Sequence, residues 1–215
     1  MKLYGYFRSS AAYRVRIALN LKGLDYETES VHLVKDGGQQ FSDAYRALNP
    51  TALVPTLVDG EAAIGQSMAI LEYLEETHPQ PALLPADAAG RARVRAIAQT
   101  IACDVHPLNN LRVLKYLKHD LGISEDAKNQ WYKHWISVGL TSIEALLAGN
   151  PATGKFCHGD QPTLADIVLV PQVFNARRFD CDLSAMPTIT RIVDACSSLD
   201  AFVRAEPARQ PDAEA

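Results

Sequence analysis

Two adjacent serines, Ser9 and Ser10, stand between a short aromatic-rich segment and a run of apolar residues at helical spacing. A serine oxygen at the start of a helix accepts a hydrogen bond from the first backbone N–H groups, which have no partner within the helix. The same N–H groups, together with the helix dipole, favour a negative charge at that end. The two serines therefore indicate either an ordinary helix cap or a hydroxyl held beside a bound anion, and their types alone leave both interpretations open.

The segments around the serines predict a small α/β domain. Residues 3–7 and 25–33 predict strands, and the helix between them completes a β-α-β unit. After a further short helix, the pair Asp59-Gly60 lies between two apolar runs, which is a strong hairpin signal. An amphipathic helix then begins near Gln66-Ser67. The predicted order is β-α-β-α-β-β-α, which is typical of a small α/β domain.

The domain organisation follows from a change in composition along the chain. The α/β domain is expected to span residues 1–82, and the prolines near its end predict a linker over residues 83–89. Strand signals are absent from residues 90–207, where long amphipathic stretches predict an all-helical domain. We expect residues 208–215 to be disordered, because the proline and small polar residues there cannot form a core.

Composition and charge exclude several classes of function. The chain has 215 residues with 25 acidic and 21 basic side chains, and no basic stripe would suit a nucleic acid. No apolar run approaches the ~20 residues that cross a bilayer, and no secretory leader is visible, so we expect no membrane partner and a cytoplasmic location. The six histidines and four cysteines lack metal-ligand spacing, so no metal site is expected. Buried free thiols are expected at Cys103, Cys157, Cys181 and Cys196.

The order of elements and three local motifs resemble the cytosolic glutathione transferases. In that family a thioredoxin-like α/β domain precedes an all-α domain. Ser9-Ser10 is similar to the serine form of the family's catalytic motif, and Leu53-Val54-Pro55-Thr56 is similar to its cis-proline loop. Gln66-Ser67 is similar to the pair that binds the γ-glutamyl group. The resemblance implies glutathione as the cofactor and a homodimer as the assembly.

One class of the family matches more closely than the others. Residues 6–19, with Tyr-Phe-Arg-Ser-Ser followed by Arg-Val-Arg-Ile-Ala-Leu, closely resemble the zeta class. Residues 104–112 and 176–179 are similar to bacterial maleylacetoacetate and maleylpyruvate isomerases. The best-known activity of the class is the isomerisation of maleylacetoacetate in tyrosine breakdown. The zeta pattern usually has a cysteine where this chain has Ala11.

The implied reaction needs an ionised thiol. A thiolate that adds to a conjugated double bond, allows rotation and leaves again isomerises the bond without being consumed. Lowering a thiol pKa from about 8.5 by ~2 units takes about 2.7 kcal/mol. A helix terminus contributes only ~0.3 to 1 kcal/mol, whereas a hydrogen bond to a charged group contributes roughly 1.5 to 3. A hydroxyl directed at the sulfur is therefore required, and Ser9 is expected to supply it.

The resemblance also assigns roles to further residues. Arg8 and Arg178 are expected to act with Ser9, because a dicarboxylate substrate needs cations and arginine suits bidentate carboxylate recognition. The implied glutathione-binding residues are Ser9, Ser10, Gln40, Val54, Gln66, Ser67, His106, Asn110 and Arg112. Without the resemblance, a helix cap would explain Gln66-Ser67, and a local partner would explain His106. The other arginines near these motifs are expected to be salt-bridged or exposed: Arg14, Arg16 and Arg177.

Four alternative functions remain open at this point. A maleylpyruvate isomerase would use the same mechanism. A conjugating transferase would leave glutathione on the product and consume it. A reductive dehalogenase would need a protein thiol, which Ala11 removes. A protein of this fold that binds ligands without catalysis would not be expected to keep Arg8, Ser9, Gln66 and Ser67 together.

Overall fold

The computed structural model of the chain describes residues 1–214, which divide into two units. The first unit contains Met1–Ala82 and the chain from Ser197 onward, and the second unit is Leu83–Cys196. The last part of the chain, which the sequence assigned to the helical domain and to a separate tail, therefore belongs to the first unit.

A four-stranded mixed sheet lies in the first unit, with the strand order β2-β1-β3-β4. The strands are β1 (Lys2–Gly5), β2 (Glu27–Ser30), β3 (Thr56–Asp59) and β4 (Ala62–Gly65). β1 runs parallel to β2 and antiparallel to β3, and Leu3 lies opposite both Thr28 and Leu57. β3 and β4 form the hairpin that Asp59-Gly60 predicted, so that prediction is confirmed.

The helices of the first unit are α1 (Ser10–Leu21), α2 (Asp43–Leu48), α3 (Ser67–Thr77) and α9 (Asp200–Ala205). Single 3-10 turns cover Lys35–Gly37, Gln39–Phe41 and Pro207–Arg209. Helix α1 packs against both α3 and α9. As a result, every residue of α1 from Ser10 to Leu19 is buried, including two arginines.

The chain end differs from the predicted disorder over residues 208–215. Residues 208–214 follow a defined path in the first unit, and Ala215 lies outside the described residues. The physical reason is hydrogen bonding: the Phe7 backbone N–H donates to the Asp212 carboxylate over 3.0 Å. Upstream, the Asn20 side chain donates to the carbonyl of Ala201 over 2.9 Å, which fixes α9 on α1.

The second unit is helical throughout the elements that the structure defines, as predicted. Its helices are α4 (Ala88–Gln99), α5 (Leu111–Lys115), α6 (Glu125–Leu147), α7 (Leu164–Arg178) and α8 (Pro187–Ser197), the last ending at the unit boundary. π-helical turns at Thr100–Val105 and Tyr116–Asp120 and a 3-10 turn at His106–Asn109 interrupt the stretch between α4 and α6. The predicted linker begins inside this unit, because Leu83 and Leu84 are buried and the Leu83 carbonyl accepts from Leu164.

The cysteines only partly follow the prediction of buried thiols. Cys157 and Cys196 are buried, Cys181 is half-buried, and Cys103 is exposed in the π-helical turn after α4. Burial raises the pKa of the Cys157 thiol well above its ordinary value. Within residues 1–214, no three His, Cys, Asp or Glu side chains come together as a metal site. Over the same residues, no helix has the length and apolar character needed to cross a bilayer.

Gly139 provides a test of the packing in the second unit. A Cβ added to Gly139 on α6 would collide with the Cγ2 of buried Val105. Since overpacking a core costs about 1–3 kcal/mol, we expect Gly139→Val to lower the free energy of unfolding by that amount in urea titrations. Ala145→Val, at an exposed position of the same helix, is the matched control and is expected to cost about 0.6 kcal/mol or less. Equal losses in the two variants would contradict this packing.

Candidate functional site

The register of the sheet brings the predicted motifs of the first unit to one edge. Thr56 at the start of β3 pairs with Tyr4 near the end of β1 and with Gly65 at the end of β4. Gly5 at the end of β1 pairs with Ser30 at the end of β2. The same edge of the sheet therefore adjoins four segments: the turn after β1, the loop after β2, the loop before β3 and the start of α3.

Ser9 caps the helix that follows β1. Its backbone is extended, with φ −67° and ψ 114°, and its Oγ accepts a hydrogen bond from the Ala12 N–H over 3.2 Å. Because the oxygen acts as the acceptor in this bond, the hydroxyl proton remains available to a second group. The cap and the role beside an anion are thus compatible. Ser10 is buried as the first helical residue.

The start of α3 has an unusual backbone. Gln66, the residue before the helix, has φ 65° and ψ 115°, a positive φ at a residue other than glycine. Such conformations cost of order 1–3 kcal/mol and cluster at ligand-binding sites. Ser67 is the first residue of the helix and is buried. The strained turn therefore fixes the position of a hydroxyl and of free N–H groups at a helix N-terminus.

Arg14 is not exposed, so that part of its prediction is wrong. Its side chain is 1% exposed, and its Nη1 donates to the Ser67 Oγ over 3.2 Å. A guanidinium only donates hydrogen bonds, so the Ser67 oxygen accepts here and its own proton is left for another acceptor. A carboxylate is such an acceptor. The buried charge of Arg14 adds to the preference of the α3 N-terminus for an anion.

Arg16 is also buried, which corrects its prediction. It donates to the carbonyls of Phe7 and Ala205, each over 3.0 Å, and burial lowers its pKa to about 10. Its bond to Phe7 holds the turn just before Arg8. Arg177 follows the prediction, since it is exposed and pairs with Asp194 over 3.5 Å. The apolar residues around the two buried arginines, such as Val15 and Ile17, leave α1 without a polar face and so hint at burial, whereas the packing partner α9 and the bonds to it cannot be inferred from α1.

The loop before β3 is held from behind by α2. The Val54–Pro55 peptide is cis, as the motif predicted. The carbonyl of Leu53 accepts from the Tyr45 hydroxyl over 2.7 Å and from the Asn49 side chain over 3.0 Å. These two residues were not predicted to matter, because a side-chain hydrogen bond to a backbone carbonyl leaves no pattern in the sequence. Their effect is to fix the backbone of Val54.

Gln40 lies in a 3-10 turn with its amide buried. It is 5% exposed, and its Oε1 has no hydrogen-bond partner among residues 1–214. Gly38 packs against this amide so closely that a Cβ there would lie 2.7 Å from the Gln40 Nε2. A buried polar group without a partner costs about 1–3 kcal/mol. A bound peptide that offers a donor would recover this energy.

Arg8 lies next to Ser9 and is 44% exposed. Its Nη2 and Nε donate to the Tyr6 hydroxyl over 2.8 and 3.2 Å, and its guanidinium stands 4.9 Å from the centre of the Phe7 ring. The two aromatic residues therefore hold the guanidinium in place. On its exposed side lies the Glu214 carboxylate, whose Oε2 is 3.8 Å from the Arg8 Nη2.

The second unit, taken by itself, carries the other predicted residues. His106 begins a 3-10 turn, and Asn110 caps α5 by accepting from the backbone N–H of Arg112 over 3.1 Å. Arg178 ends α7, exposed, with its guanidinium 5.0 Å from the Phe179 ring.

One residue of α6 fastens both of these segments. The Tyr132 carbonyl accepts from the Asn109 side chain over 3.1 Å. The Tyr132 ring stacks on Phe179 with centroids 3.7 Å apart. Burial raises the Tyr132 pKa, and Arg178 opposes that effect. The turn with His106 and the end of α7 with Arg178 are thus attached to the same point of one helix.

Comparison with known proteins agrees with this geometry. Residues 3–82 match the family model described as glutathione S-transferase, N-terminal domain. The chain is 54% identical over 212 residues to a maleylpyruvate isomerase from Ralstonia sp, with 99% of each protein covered. It is 51% identical over 211 residues to a probable maleylacetoacetate isomerase from Vibrio cholerae, covering 98% of this chain and 97% of that protein.

Solved structures agree as well. The maleylacetoacetate isomerase of Methylobacterium extorquens AM1, with bound malonate and glutathione, superposes with a TM-score of 0.96 at 42% identity, with 100% of both chains covered. The chain therefore belongs to the glutathione S-transferase family, in its zeta class.

Arg14 gives a prediction for the site. Arg14→Met removes the donor to Ser67, and since hydrogen bonds to charged groups contribute about 1.5–3 kcal/mol, we expect glutathione to bind about 10- to 100-fold more weakly by calorimetry. Arg177→Met, which removes an exposed arginine, is the control and should bind glutathione as the unmodified protein does. A lower melting temperature with unchanged glutathione affinity would mean that Arg14 acts only in packing.

Proposed function

We propose that the chain is a glutathione-dependent cis-trans isomerase that converts maleylacetoacetate to fumarylacetoacetate. The observation that carries the proposal is the capping geometry of Ser9, whose oxygen accepts from Ala12 and whose proton is left for a sulfur anion. Relatives with these two isomerase names, about half identical over nearly the whole chain, support the reaction class.

The residues present fit glutathione at its two ends. At the γ-glutamyl end, the hydroxyl of Ser67, the α3 N-terminus and the Arg14 charge behind them suit a carboxylate. At the glycyl end, Gln40 offers a buried amide oxygen without a protein partner. The fixed backbone of Val54 is proposed to meet the cysteinyl part. His106, Asn110 and Arg112 are candidates through the resemblance.

Glutathione, when bound, supplies a thiolate that adds to the conjugated double bond and leaves it again after rotation. Ser9 donates its hydroxyl proton to the sulfur in this proposal and so stabilises the anion before substrate arrives. A shift of ~2 pKa units corresponds to about 2.7 kcal/mol, which lies within the range of one hydrogen bond to a charged group. No residue is needed as a general base, because the reaction returns the thiolate unchanged.

Arginine is proposed to bind the carboxylates of the substrate. Arg8 adjoins Ser9 and presents an exposed guanidinium that Tyr6 and Phe7 hold in place. Arg178, on the second unit, is a further candidate through the resemblance. Ala11 places a methyl group where a thiol usually stands, so the only sulfur required by the reaction is the one that glutathione brings.

A maleylpyruvate isomerase is the second candidate function. The relative from Ralstonia sp with that name is 54% identical to this chain, slightly more than the Vibrio cholerae relative. Both substrates carry a cis double bond conjugated to carbonyls and two carboxylates, so the same residues would serve either one. We also propose a homodimer in the cytoplasm, as expected for the family, and light scattering should then give twice the chain mass.

The reaction itself can be tested directly. We expect absorbance assays to show isomerisation of maleylacetoacetate only when glutathione is present, with the glutathione concentration unchanged at the end. A larger kcat/KM for maleylpyruvate would assign the second function. Stoichiometric loss of glutathione would instead identify a conjugating transferase, and no glutathione binding by calorimetry would identify a non-catalytic protein.

Ser9 gives a second prediction. We expect Ser9→Ala to lower kcat about 10- to 100-fold at neutral pH, because the sulfur loses a donor worth about 1.5–3 kcal/mol. The lost cap costs stability only about 0.5–2 kcal/mol, and Ser9→Thr, which keeps the hydroxyl, should retain activity. Activity of Ser9→Ala should recover as the pH rises toward 8.5, where the thiol ionises unaided. Parallel losses of activity and stability at every pH would contradict the assignment.

A further inference from the structure

The chain end lies beside the Phe7-Arg8 turn of the first unit. The Asp212 carboxylate accepts from the Phe7 N–H and from the Ser30 hydroxyl, each over 3.0 Å. Two residues earlier, the Gln210 side chain donates to the carbonyls of Arg204 and Glu206 over 2.9 and 2.8 Å. These bonds anchor the segment independently of the residue that follows it, Glu214.

Three basic side chains surround the Glu214 carboxylate. Its Oε1 lies 2.7 Å from the Lys35 Nζ and 3.1 Å from the His32 Nε2, and its Oε2 lies 3.8 Å from the Arg8 Nη2. Lys35, followed by His32, holds the pKa of Glu214 below its usual range. The carboxylate is therefore charged at neutral pH and lies on the exposed side of the Arg8 guanidinium.

His32 has a defined role in this group. Its Nδ1 accepts the backbone N–H groups of Val34 and Lys35 over 3.1 and 2.8 Å, so the ring proton of the neutral imidazole is on Nε2. The Nε2–H points at Glu214. His32 is also buried, with its ring edge-on to Tyr6. It is thus a fixed donor for an anion, next to the two cations Arg8 and Lys35.

We propose that Arg8, His32 and Lys35 form a carboxylate-binding site that Glu214 occupies in this structure, and that a carboxylate of the substrate displaces Glu214 from it. This inference rests on the proposed function, since Arg8 is the proposed substrate cation. The site takes a carboxylate because it offers two cations and one neutral donor and, among residues 1–214, holds one carboxylate already. Glu214 then acts as a tethered competitor of the substrate.

The exposure of the group favours displacement over a permanent structural contact. The side chains of Lys35 and Glu214 are 61% and 39% exposed. Ion pairs at such positions are weak because water screens them. The anchor at Asp212 does not involve these charges, so Glu214 can leave while the rest of the segment stays in place. A tethered group still competes, because tethering gives it an effective concentration near the millimolar range.

Malonate binding to the glutathione-loaded full chain tests the inference without turnover. We expect Glu214→Gln to lower the Kd for malonate about 3- to 10-fold, because the competitor loses its charge. The KM for the dicarboxylate substrate should fall by a similar factor, while the KM for glutathione stays unchanged. Glu206→Gln is the matched control: it removes the same charge from a residue that pairs with Arg209, and its malonate Kd should not change.

A second variant tests the site rather than the competitor. In the Glu214→Gln background, Lys35→Met should raise the Kd for malonate again, because one of the two cations is removed. An unchanged or higher malonate Kd in Glu214→Gln would overturn the inference, and so would a Lys35→Met variant that binds malonate equally well. These results stand apart from the proposed isomerisation: malonate can respond as expected in a protein that fails the isomerase assay, and the reverse is equally observable.

Discussion

The hydrogen bond from the Ala12 N–H to the Ser9 hydroxyl oxygen, 3.2 Å long, is the interaction on which the rest of the site depends. It begins α1 and at the same time orients the hydroxyl, since an oxygen that accepts from the backbone directs its own proton elsewhere. The dipole of α1 alone would shift a thiol pKa by less than one unit. The proposed chemistry therefore depends on one oriented proton, and the helix supplies its position.

Burial of α1 is what keeps that position fixed. The helix packs against α3 and α9. Its two buried arginines connect it to neighbouring segments, because Arg14 donates to Ser67 at the start of α3 and Arg16 donates to the Phe7 carbonyl in the turn before Arg8. Burying a guanidinium is costly unless its N–H groups donate hydrogen bonds, so these contacts restrict where each arginine side chain can lie. The residues that would meet the γ-glutamyl end of glutathione and the substrate are thereby tied to a single helix. The same turn also receives the chain end through Asp212, which places the tethered carboxylate of Glu214 beside Arg8.

Local patterns predicted most of the fold and several local features of the candidate site. The order of elements, the hairpin at Asp59-Gly60, the cis Val54–Pro55 peptide and the cap at Ser9 all follow from short-range signals or from the family motifs. Contacts between distant parts of the chain could not be predicted in this way. The return of α9 and residues 207–214 to the first unit depends on bonds such as Asn20 to Ala201, which no periodicity encodes.

The errors have the same origin. Arg14 and Arg16 were expected to be salt-bridged or exposed because arginine usually lies at the surface, whereas α9 covers the face of α1 that would otherwise be exposed. Residues 208–214 were expected to be disordered because their composition cannot form a core, yet two carboxylates there find donors on the first unit. A polar chain end can thus be ordered by specific partners that its own composition does not reveal.

The most direct test of the central claim is an ultraviolet absorbance titration of the thiolate of bound glutathione, in the unmodified protein and in Ser9→Ala. The account predicts a thiol pKa about 2 units below the free value of about 8.5 in the unmodified protein, and a return to near that value when the hydroxyl is removed. Equal thiol pKa values in the two proteins would contradict it.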